Sequence, residues 1–386
     1  MSRHDFSEHE FADRVRRTRQ AIGTAELDWL LVIHPMSMHW LIGAETKSYQ
    51  AFQCLLVSAH AAPLIMFTRE SERCEFVEDT LADETIGWGG AEPEDPLEAF
   101  DRLIRRLGLP GTRIGLETPP YYLHPHHYTR LRAMLGDSLV AEPSNLIADL
   151  KQVKSPAEIA LVRESARIAD RAMEACIGAV AEGRSELEIA ADVYHSLLSS
   201  GSSLPASVMN LVTGERCGFS HGAPTQRRMR IGDPGNVEFG AAFKRYTKTI
   251  GRQFNLGPPS SRVRDLYDIA RAAFDACLGE MRDGVPAIVP HEAAKRVIAQ
   301  AGMDRYRIHT TGYSIGAGVA PAWGEPLNMY GGSRDILRTG MVVSVEPPVF
   351  VPEERLGARI IDNVLITDTG AELLSRYPLD LIVVPT

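Results

Sequence analysis

The sequence has 386 residues, of which 44% are hydrophobic and 24% are charged, and its formal net charge is −9 at pH 7. These proportions are typical of a globular protein and argue against a disordered chain or a membrane protein. The negative charge argues against nucleic acid as a partner. The length suits two domains of ordinary size rather than one core.

The cysteines and the first residues suggest a cellular location. Five scattered cysteines without CxxC spacing favour reduced thiols over a disulfide framework. The first 22 residues contain no apolar segment of the kind found in signal peptides, and no run of 18 apolar residues occurs anywhere. We therefore expect a cytoplasmic protein without a membrane span.

The first 150 residues alternate helical and strand patterns, which predicts an α/β domain. The predicted elements are a helix Ser7–Ile22, strands Trp29–Ile33, Cys54–Val57 and Leu64–Phe67, a helix Pro96–Leu107, a strand Thr112–Leu116 and a helix Pro125–Leu135. Three histidines, His124, His126 and His127, are interpreted as a surface loop rather than a metal site, because their spacing is proline-rich, aromatic residues flank them and no cysteine or repeated acid is near.

A domain boundary is predicted near residue 150. Residues 148–154 suggest an extended segment, and Ser155 then begins a helix with Pro156 at its first position and Glu158 three residues after the cap. This helix is predicted to continue to about Glu182. The expected domains are residues 1–150 and 151–386.

The second domain is predicted to be organised around a β-hairpin that carries one carboxylate, Glu238. Helices are expected over Ser185–Ser199, Val263–Met281 and Pro290–Ala301, and the hairpin lies between the first two of them. Glu238 follows a Gly-Asp-Pro-Gly turn in an otherwise uncharged strand, and Tyr246–Leu256 returns with strand alternation. A buried carboxylate needs compensation. Two interpretations remain open: Glu238 pairs with Arg245, Arg252 or a neighbouring strand, or it has a functional role.

Four segments of this domain occur in a recognisable order: the hairpin, TTGYSIGAGVAPAWGEP (310–326), GMVVSVEPPVF (340–350) and ARIIDNVLITDTG (358–370). They resemble the creatinase, prolidase and methionine aminopeptidase family, whose catalytic domain has the pita-bread fold. Residues 27–57 resemble, more loosely, the small N-terminal domain of creatinases. The resemblance therefore implies an α/β (α+β) protein in which a creatinase-like N-terminal domain precedes a pita-bread domain.

Peptidases of that family hold two metal ions on two Asp, one His and two Glu. The five corresponding positions of this sequence are Glu238, Thr249, Tyr313, Glu346 and Ile361. Catalytic metals are normally held by three or more N, O or S ligands, which these residues do not supply. We therefore expect no metal pair and no other cofactor.

The resemblance points further to metal-free members of the family, creatinase and ectoine hydrolase. His221 falls where creatinase has its catalytic histidine, and Tyr313 with Trp323-Gly324-Glu325 is closer to ectoine hydrolases. The implied function is metal-independent hydrolysis of a C–N bond in a small cyclic amidine, a polar cationic or zwitterionic substrate. Three alternatives remain: a creatinase-type amidinohydrolase, an Xaa-Pro aminopeptidase or prolidase-like metallopeptidase, and a non-catalytic scaffold.

Residue roles follow from this chemistry. Glu238 is assigned as nucleophile or general base and His221 as proton shuttle, while Glu346 anchors the cationic group. The other substrate-binding candidates are Tyr313 as a hydrogen-bond donor, Trp323 as a face for a planar cation, Glu325 as a second acid and Arg252. Creatinase has a Glu before the arginine of its hairpin, where this sequence has Gly251, so capture of a guanidinium by that pair is not implied.

The resemblance also predicts a homodimer in which the N-terminal domain leans over the partner's active site. Trp40, Tyr49 and Phe52 are then candidates to close the neighbouring pocket, the alternative being ordinary core aromatics. Light scattering of the purified protein at micromolar concentration is expected to give the mass of two chains. A monomer under these conditions would remove any role for these residues across an interface.

Overall fold

The computed structural model describes residues 2–45 and 49–386. The chain forms two compact units, residues 1–151 and 152–386. Within the described residues, the helices are too short or too polar to cross a membrane.

The first unit is a six-stranded sheet with helices. Its helices are α1 (Glu8–Thr24), α2 (Pro35–Ile42), α3 (Arg73–Asp79), α4 (Pro96–Arg106), α5 (Pro125–Leu135) and α6 (Leu146–Gln152). Its strands are β1 (Trp29–Val32), β2 (Cys54–Ser58), β3 (Ile65–Arg69), β4 (Glu84–Trp88), β5 (Ile114–Leu116) and β6 (Leu139–Ala141). The strand order is β4-β3-β2-β1-β5-β6, with β1 antiparallel to β2 and parallel to β5.

Both faces of this sheet are covered, which explains its continuous apolar strands. Leu31 and Leu56 pack into one core, whereas Leu30 and Leu55 pack into a second core on the other face. All five residues of β2 are buried. The mixed α/β character expected from the sequence is confirmed.

Four elements of this unit were not predicted, namely α2, α3, β4 and β6, and α6 is helical where an extended segment was expected. All eight residues of α2 are buried, so this helix has no polar face and no helical period in its sequence. It is defined by its ends instead: His34 caps it, Pro35 occupies its first position, and Gly43 ends it with φ of 74°.

The second unit contains four helices among its described elements: α7 (Pro156–Ala179), α8 (Glu186–Ser199), α9 (Ser261–Glu280) and α10 (Ile288–Gln300). Its strands are β7 (Asn210–Thr213), β8 (Pro234–Phe243), β9 (Tyr246–Leu256), β10 (Gly312–Val319), β11 (Ala322–Met329), β12 (Val342–Val345), β13 (Val349–Val351), β14 (Leu356–Ala358), β15 (Asp362–Ile366), β16 (Ala371–Leu373) and β17 (Ile382–Val384). The main sheet has the order β16-β15-β12-β10-β9-β8-β7.

The predicted capping box at the start of α7 is present. The Ser155 hydroxyl accepts the Glu158 N–H at 3.1 Å, and the Glu158 carboxylate accepts the Ser155 N–H at 2.8 Å. The helix ends at Ala179 rather than Glu182, because Val180 is already extended. Capping fixes where this helix begins, so the apolar residues of α7 pack with those of α8 against one face of the hairpin.

The predicted hairpin is formed by β8 and β9. Its turn places Lys244 and Arg245 at φ of 50° and 70°, and the strands pair without interruption from Pro234 to Phe243. Glu238 lies directly opposite Gly251, so these two residues share one face. Arg252 is the next residue and therefore lies on the opposite face, among the helices.

A buried charge cluster joins β9 to β15. Asp362 accepts ion pairs from Lys248 and Arg252, each at 2.7 Å, and all three side chains are at most 1% exposed. Arg252 also donates to four carbonyl oxygens, including that of Pro378. Burial lowers the pKa of Lys248, and Asp362 counteracts this effect. Asp362 thus holds two cations that have no access to water.

Removing this carboxylate is expected to destabilise the protein strongly. Asp362→Ala leaves two buried cations uncompensated, which should lower the free energy of unfolding by roughly 3–5 kcal/mol. Urea unfolding measures this change. The control is Asp275→Ala, which breaks a partly exposed pair with Arg271 in α9 and should cost less than about 1 kcal/mol. Equal effects of the two substitutions would contradict a structural role for the buried cluster.

Candidate active site

The site is built on the face of the hairpin that points away from α7 and α8. Glu238 is 6% exposed, and its neighbour across the strand pair is Asn210 on β7. The Asn210 side-chain amide donates to Glu238 Oε2 at 2.9 Å. Strand register, not loop conformation, therefore fixes the position of this carboxylate.

Arg359 provides the charge that compensates Glu238. It lies between β14 and β15 and forms a buried ion pair with Glu238 Oε2. Its other terminal nitrogen donates to the Ser220 carbonyl oxygen, and its guanidinium carbon lies 5.3 Å from the centre of the Phe350 ring. The alternative that Glu238 pairs with an arginine is correct, but the partner is neither Arg245 nor Arg252.

Glu346 is the second carboxyl group of the site and follows β12. The Ser344 hydroxyl donates to its Oε2 at 3.0 Å. Among the described residues its Oε1 has no hydrogen-bond partner, and His309 Nδ1 lies 3.5 Å away. Burial and the nearby charge of Glu238 raise the pKa of Glu346 to about 8, although Arg359 and Ser344 oppose the shift. This carboxyl group is therefore neutral at pH 7.

His309 is a site residue that was not predicted. Its Nδ1 lies 3.2 Å from the Thr310 carbonyl oxygen, and its ring centre is 5.2 Å from that of His221. Burial lowers the pKa of His309, and the cationic Arg359 lowers it further, so the imidazole is neutral. The available signal was its position four residues before Tyr313 in the segment HTTGYSIG.

The loop that presents His221 is organised by a buried carboxylate, Glu186, at the start of α8. Glu186 accepts the N–H groups of Thr213 and Thr225 at 2.8 and 2.9 Å and pairs with Arg216. Arg216 in turn donates to the Ala223 carbonyl oxygen at 2.8 Å. His221 is exposed at the apex of this loop. Arg359 links this loop to Glu238, because it bonds the carbonyl oxygen of Ser220, the residue before His221, and pairs with Glu238.

Tyr313 and Trp323 form the wall next to the two carboxyl groups. The Trp323 indole N–H donates to the Tyr313 hydroxyl at 3.0 Å. Burial and the charges of Glu346 and Glu238 raise the pKa of Tyr313 far above its usual range, so its hydroxyl keeps its proton. Trp323 packs over Gly240, where a Cβ would lie 3.0 Å from the ring. Its ring is 8% exposed, which leaves little free face for a planar cation.

Two of the predicted substrate-binding residues are engaged elsewhere. Glu325 forms a buried ion pair with Lys154, and the two side chains are 4% and 1% exposed. The interpretation of Glu325 as a second acid is therefore corrected, because Lys154 compensates its charge. The interpretation of Arg252 as a substrate ligand is corrected too, because strand alternation places it in the buried cluster with Asp362.

The three aromatic candidates lie in the first unit. Trp40 is 1% exposed and packs in the core, with the Arg14 guanidinium 5.3 Å from its ring centre. Phe52 is 4% exposed and packs against Phe100. Trp40 and Phe52 are therefore core aromatics, as the alternative interpretation of these residues proposed. Tyr49 remains partly exposed.

The donor set does not fit a pair of metal ions. Thr249 is held by Asn363, which donates to its hydroxyl at 2.8 Å and accepts its N–H at 2.7 Å. The Ile361 side chain packs on Gly251, where a Cβ would lie 2.8 Å from it. Tyr313 is bonded to Trp323, and the Glu238 carboxylate is bonded to a guanidinium. In the part of the chain that the structure describes, no cluster of three or more His, Cys, Asp or Glu is placed to hold a metal.

Known proteins similar to this chain are peptidases. Residues 160–368 match metallopeptidase family M24, and residues 14–153 match the creatinase/prolidase N-terminal domain. The chain is 30% identical to an Xaa-Pro dipeptidase of Pyrococcus furiosus over 238 residues, 62% of this chain and 67% of that protein. It is 28% identical to a probable dipeptidase PepE of Mycobacterium bovis over 393 aligned positions that cover both chains fully.

Solved structures agree with these matches. The crystal structure of dipeptidase PepE from Mycobacterium ulcerans superimposes with a TM-score of 0.87 and 25% identity, covering 99% of this chain and 100% of that one. A prolidase from Thermococcus sibiricus gives a TM-score of 0.88 at 23% identity, covering 98% and 100%. The predicted fold, a creatinase-like N-terminal domain followed by a pita-bread domain, is confirmed.

These relatives correct the expected reaction. The hypothesis of an amidine hydrolase close to ectoine hydrolase or creatinase, acting on C–N bonds other than peptide bonds, is wrong, because relatives found by sequence and by structure are named for peptidase activity. The residue types at the metal-ligand positions did not identify the substrate, because substrate specificity depends on other residues of the site. The Xaa-Pro peptidase alternative fits better. The chain belongs to metallopeptidase family M24 and carries a creatinase/prolidase N-terminal domain.

Proposed function

We propose that this protein is a peptidase that cleaves the Xaa-Pro bond of dipeptides or other short peptides, using two carboxyl groups in opposite protonation states instead of a metal pair. The names of its relatives support the substrate class. One arrangement carries the mechanism: the buried carboxyl group of Glu346, whose pKa is raised, lies near the carboxylate of Glu238, which is paired with Arg359. A carboxyl group with a raised pKa is suited to the role of acid, and an ion-paired carboxylate beside it to that of base.

Glu346 is the general acid. The nitrogen of an Xaa-Pro bond carries no hydrogen, so it must receive a proton before it can leave as a secondary amine. With a pKa of about 8, Glu346 holds that proton at neutral pH. Its unpartnered Oε1 is the atom that can present it to the substrate.

Glu238 is the general base. Asn210 and Arg359 both bond its Oε2, which orients the carboxylate and leaves Oε1 for a water molecule. As water attacks the carbonyl carbon, one water proton passes to Glu238, and the Tyr313 hydroxyl can donate to the developing oxyanion. Collapse of the intermediate breaks the C–N bond as the Glu346 proton moves to nitrogen. In this mechanism a proton must then return from Glu238 to Glu346, and His309, 3.5 Å from Glu346, is the candidate to deliver it to that carboxylate.

This proposal predicts hydrolysis of Xaa-Pro dipeptides that does not depend on a metal. Purified protein should release proline from Ala-Pro at the same rate, within about twofold, before and after treatment with a chelator, because Glu238 and Glu346 supply the base and the acid. Product release followed by chromatography, with elemental analysis of the same sample, makes the measurement. A rate abolished by the chelator and restored by Mn²⁺ would overturn the metal-free mechanism, and binding without turnover would overturn the peptidase assignment.

Glu346→Gln is expected to lower kcat/KM for Ala-Pro at least about a hundredfold at pH 7, because the amide keeps the shape but cannot transfer a proton. In the parent protein, kcat/KM should fall as pH rises above about 8, where Glu346 loses its proton. The matched control, Glu353→Gln, changes an exposed glutamate and should leave both rate and pH profile unchanged.

The pH dependence of stability provides an independent check that Glu346 is protonated in the folded protein. The pKa of Glu346 is higher in the folded protein, about 8, than its ordinary value of 4.5, so the folded state loses stability as pH rises between these values. Glu346→Gln removes that dependence. The difference in free energy of unfolding between the variant and the parent should therefore shift in favour of the variant, by on the order of 3 kcal/mol, from pH 5 to pH 8. A constant difference would show that Glu346 is ionised when buried.

A further inference from the structure

His291 is a buried histidine of the second unit that the proposed mechanism does not use. It lies on α10, and 4% of its surface is exposed. Its Nδ1 is 2.8 Å from the Thr311 hydroxyl oxygen, and its ring also forms a hydrogen bond with the backbone of Met329. A buried polar ring costs free energy unless it is bonded, and these two contacts meet that need. The histidine therefore joins α10 to the segment that enters β10.

Thr311 lies at the centre of that segment, between two residues of the site. His309 precedes it by two residues, and Tyr313 follows it by two. The Thr311 side chain is buried. The next residue, Gly312, passes so close to β12 that an added Cβ would lie 1.9 Å from the Ser344 carbonyl oxygen. The segment is thus packed tightly against the strand that leads to Glu346.

The Thr311 carbonyl oxygen holds the backbone of Glu346. It accepts the Glu346 N–H at 2.8 Å. Glu346 is followed by Pro347 and Pro348, and proline has no N–H to donate. The bond to Thr311 is therefore the last that this backbone can donate before the two prolines. It fixes the point from which the Glu346 side chain extends.

These contacts connect α10 to the acid of the proposed mechanism. His291 bonds the Thr311 side chain, and Thr311 bonds the Glu346 backbone. Burial lowers the pKa of His291 and the Arg307 charge lowers it further, although Glu292 opposes the shift, so the ring is neutral at pH 7. A leucine at this position would fill similar space but would leave the Thr311 hydroxyl without this partner.

We infer that His291 is a positioning residue for the proposed reaction: by holding Thr311 it places the backbone of Glu346, and with it the acid, relative to the substrate. This inference rests on the proposed function, because it takes Glu346 as the acid. A displacement of about 1 Å in a reacting group can lower the rate about a hundredfold, even when the substituted residue is remote from the chemistry. Loss of the bond to Thr311 should therefore lower kcat and leave KM nearly unchanged.

Four single variants and one double variant test this role with Ala-Pro as substrate. His291→Leu and Thr311→Val each remove one partner of the bond, and each should lower kcat at least about tenfold with KM within about twofold. His291→Asn and Thr311→Ser keep a polar group at the bond, because an Asn side-chain atom can take the place of Nδ1, and should retain kcat within about threefold. The double variant, His291→Leu with Thr311→Val, should be no slower than either single variant, because all three lack the same bond.

Melting temperature and kcat per folded molecule, measured on every variant, separate positioning from stability. The matched control is His195→Leu, which changes an exposed histidine of α8 and should alter neither quantity. A lower melting temperature with unchanged kcat in both His291→Leu and Thr311→Val would overturn the inference, as would an equal loss of kcat in His291→Asn and Thr311→Ser. Either result would leave the proposed function standing. A parent protein that releases no proline from Ala-Pro would overturn the proposed function and this inference with it.

Discussion

The chemistry of the second unit depends on the ion pair between Glu238 and Arg359. A carboxylate on a central strand cannot remain ionised without compensation, and Arg359 provides it from a segment 121 residues further along the chain. The same guanidinium holds the Ser220 carbonyl and thereby anchors the loop of His221. It also limits the rise in the pKa of Glu346. Arg359 thus compensates the charge of Glu238 and limits the rise in the pKa of Glu346.

This arrangement explains how a chain can keep the fold of a metallopeptidase family with a different set of donors. The residues at the positions that would face two metal ions pack against, or form hydrogen bonds with, other residues of the protein. Ile361 takes the space left by Gly251, Asn363 satisfies Thr249, and Trp323 bonds Tyr313. Each replacement meets its own packing or hydrogen-bonding need. These contacts form part of the wall around the two carboxyl groups.

Both units satisfy buried carboxylates within the protein. In the second unit, the buried charges are matched within the protein, as Asp362 shows for Lys248 and Arg252. In the first unit, Glu117 is likewise satisfied by two backbone N–H groups and the Ser37 hydroxyl. Each buried carboxylate is thus compensated by groups that the fold itself brings to it.

The sequence by itself determined the elements with a clear period or cap. Local patterns predicted the hairpin, the capping box of Ser155 and Glu158, and the order of motifs around Glu346, because each pattern consists of residues close together in the chain. The buried helix α2 was not predicted, because a helix without a polar face shows no hydrophobic period in its sequence. Motif order also identified the family, but it did not identify the substrate, and the amidine hypothesis failed for that reason.

Only the tertiary structure decided which side chains meet. Strand register places Arg252 on the face of the hairpin opposite Glu238, and Arg359 pairs with Glu238 instead. The sequence alone did not distinguish these two arginines as partners. Burial raised the pKa of Glu346, and folding brought His309 to this carboxyl group. Pairing and desolvation depend on contacts between separate segments, which lie 121 residues apart for Glu238 and Arg359, and local patterns carry no information about these contacts.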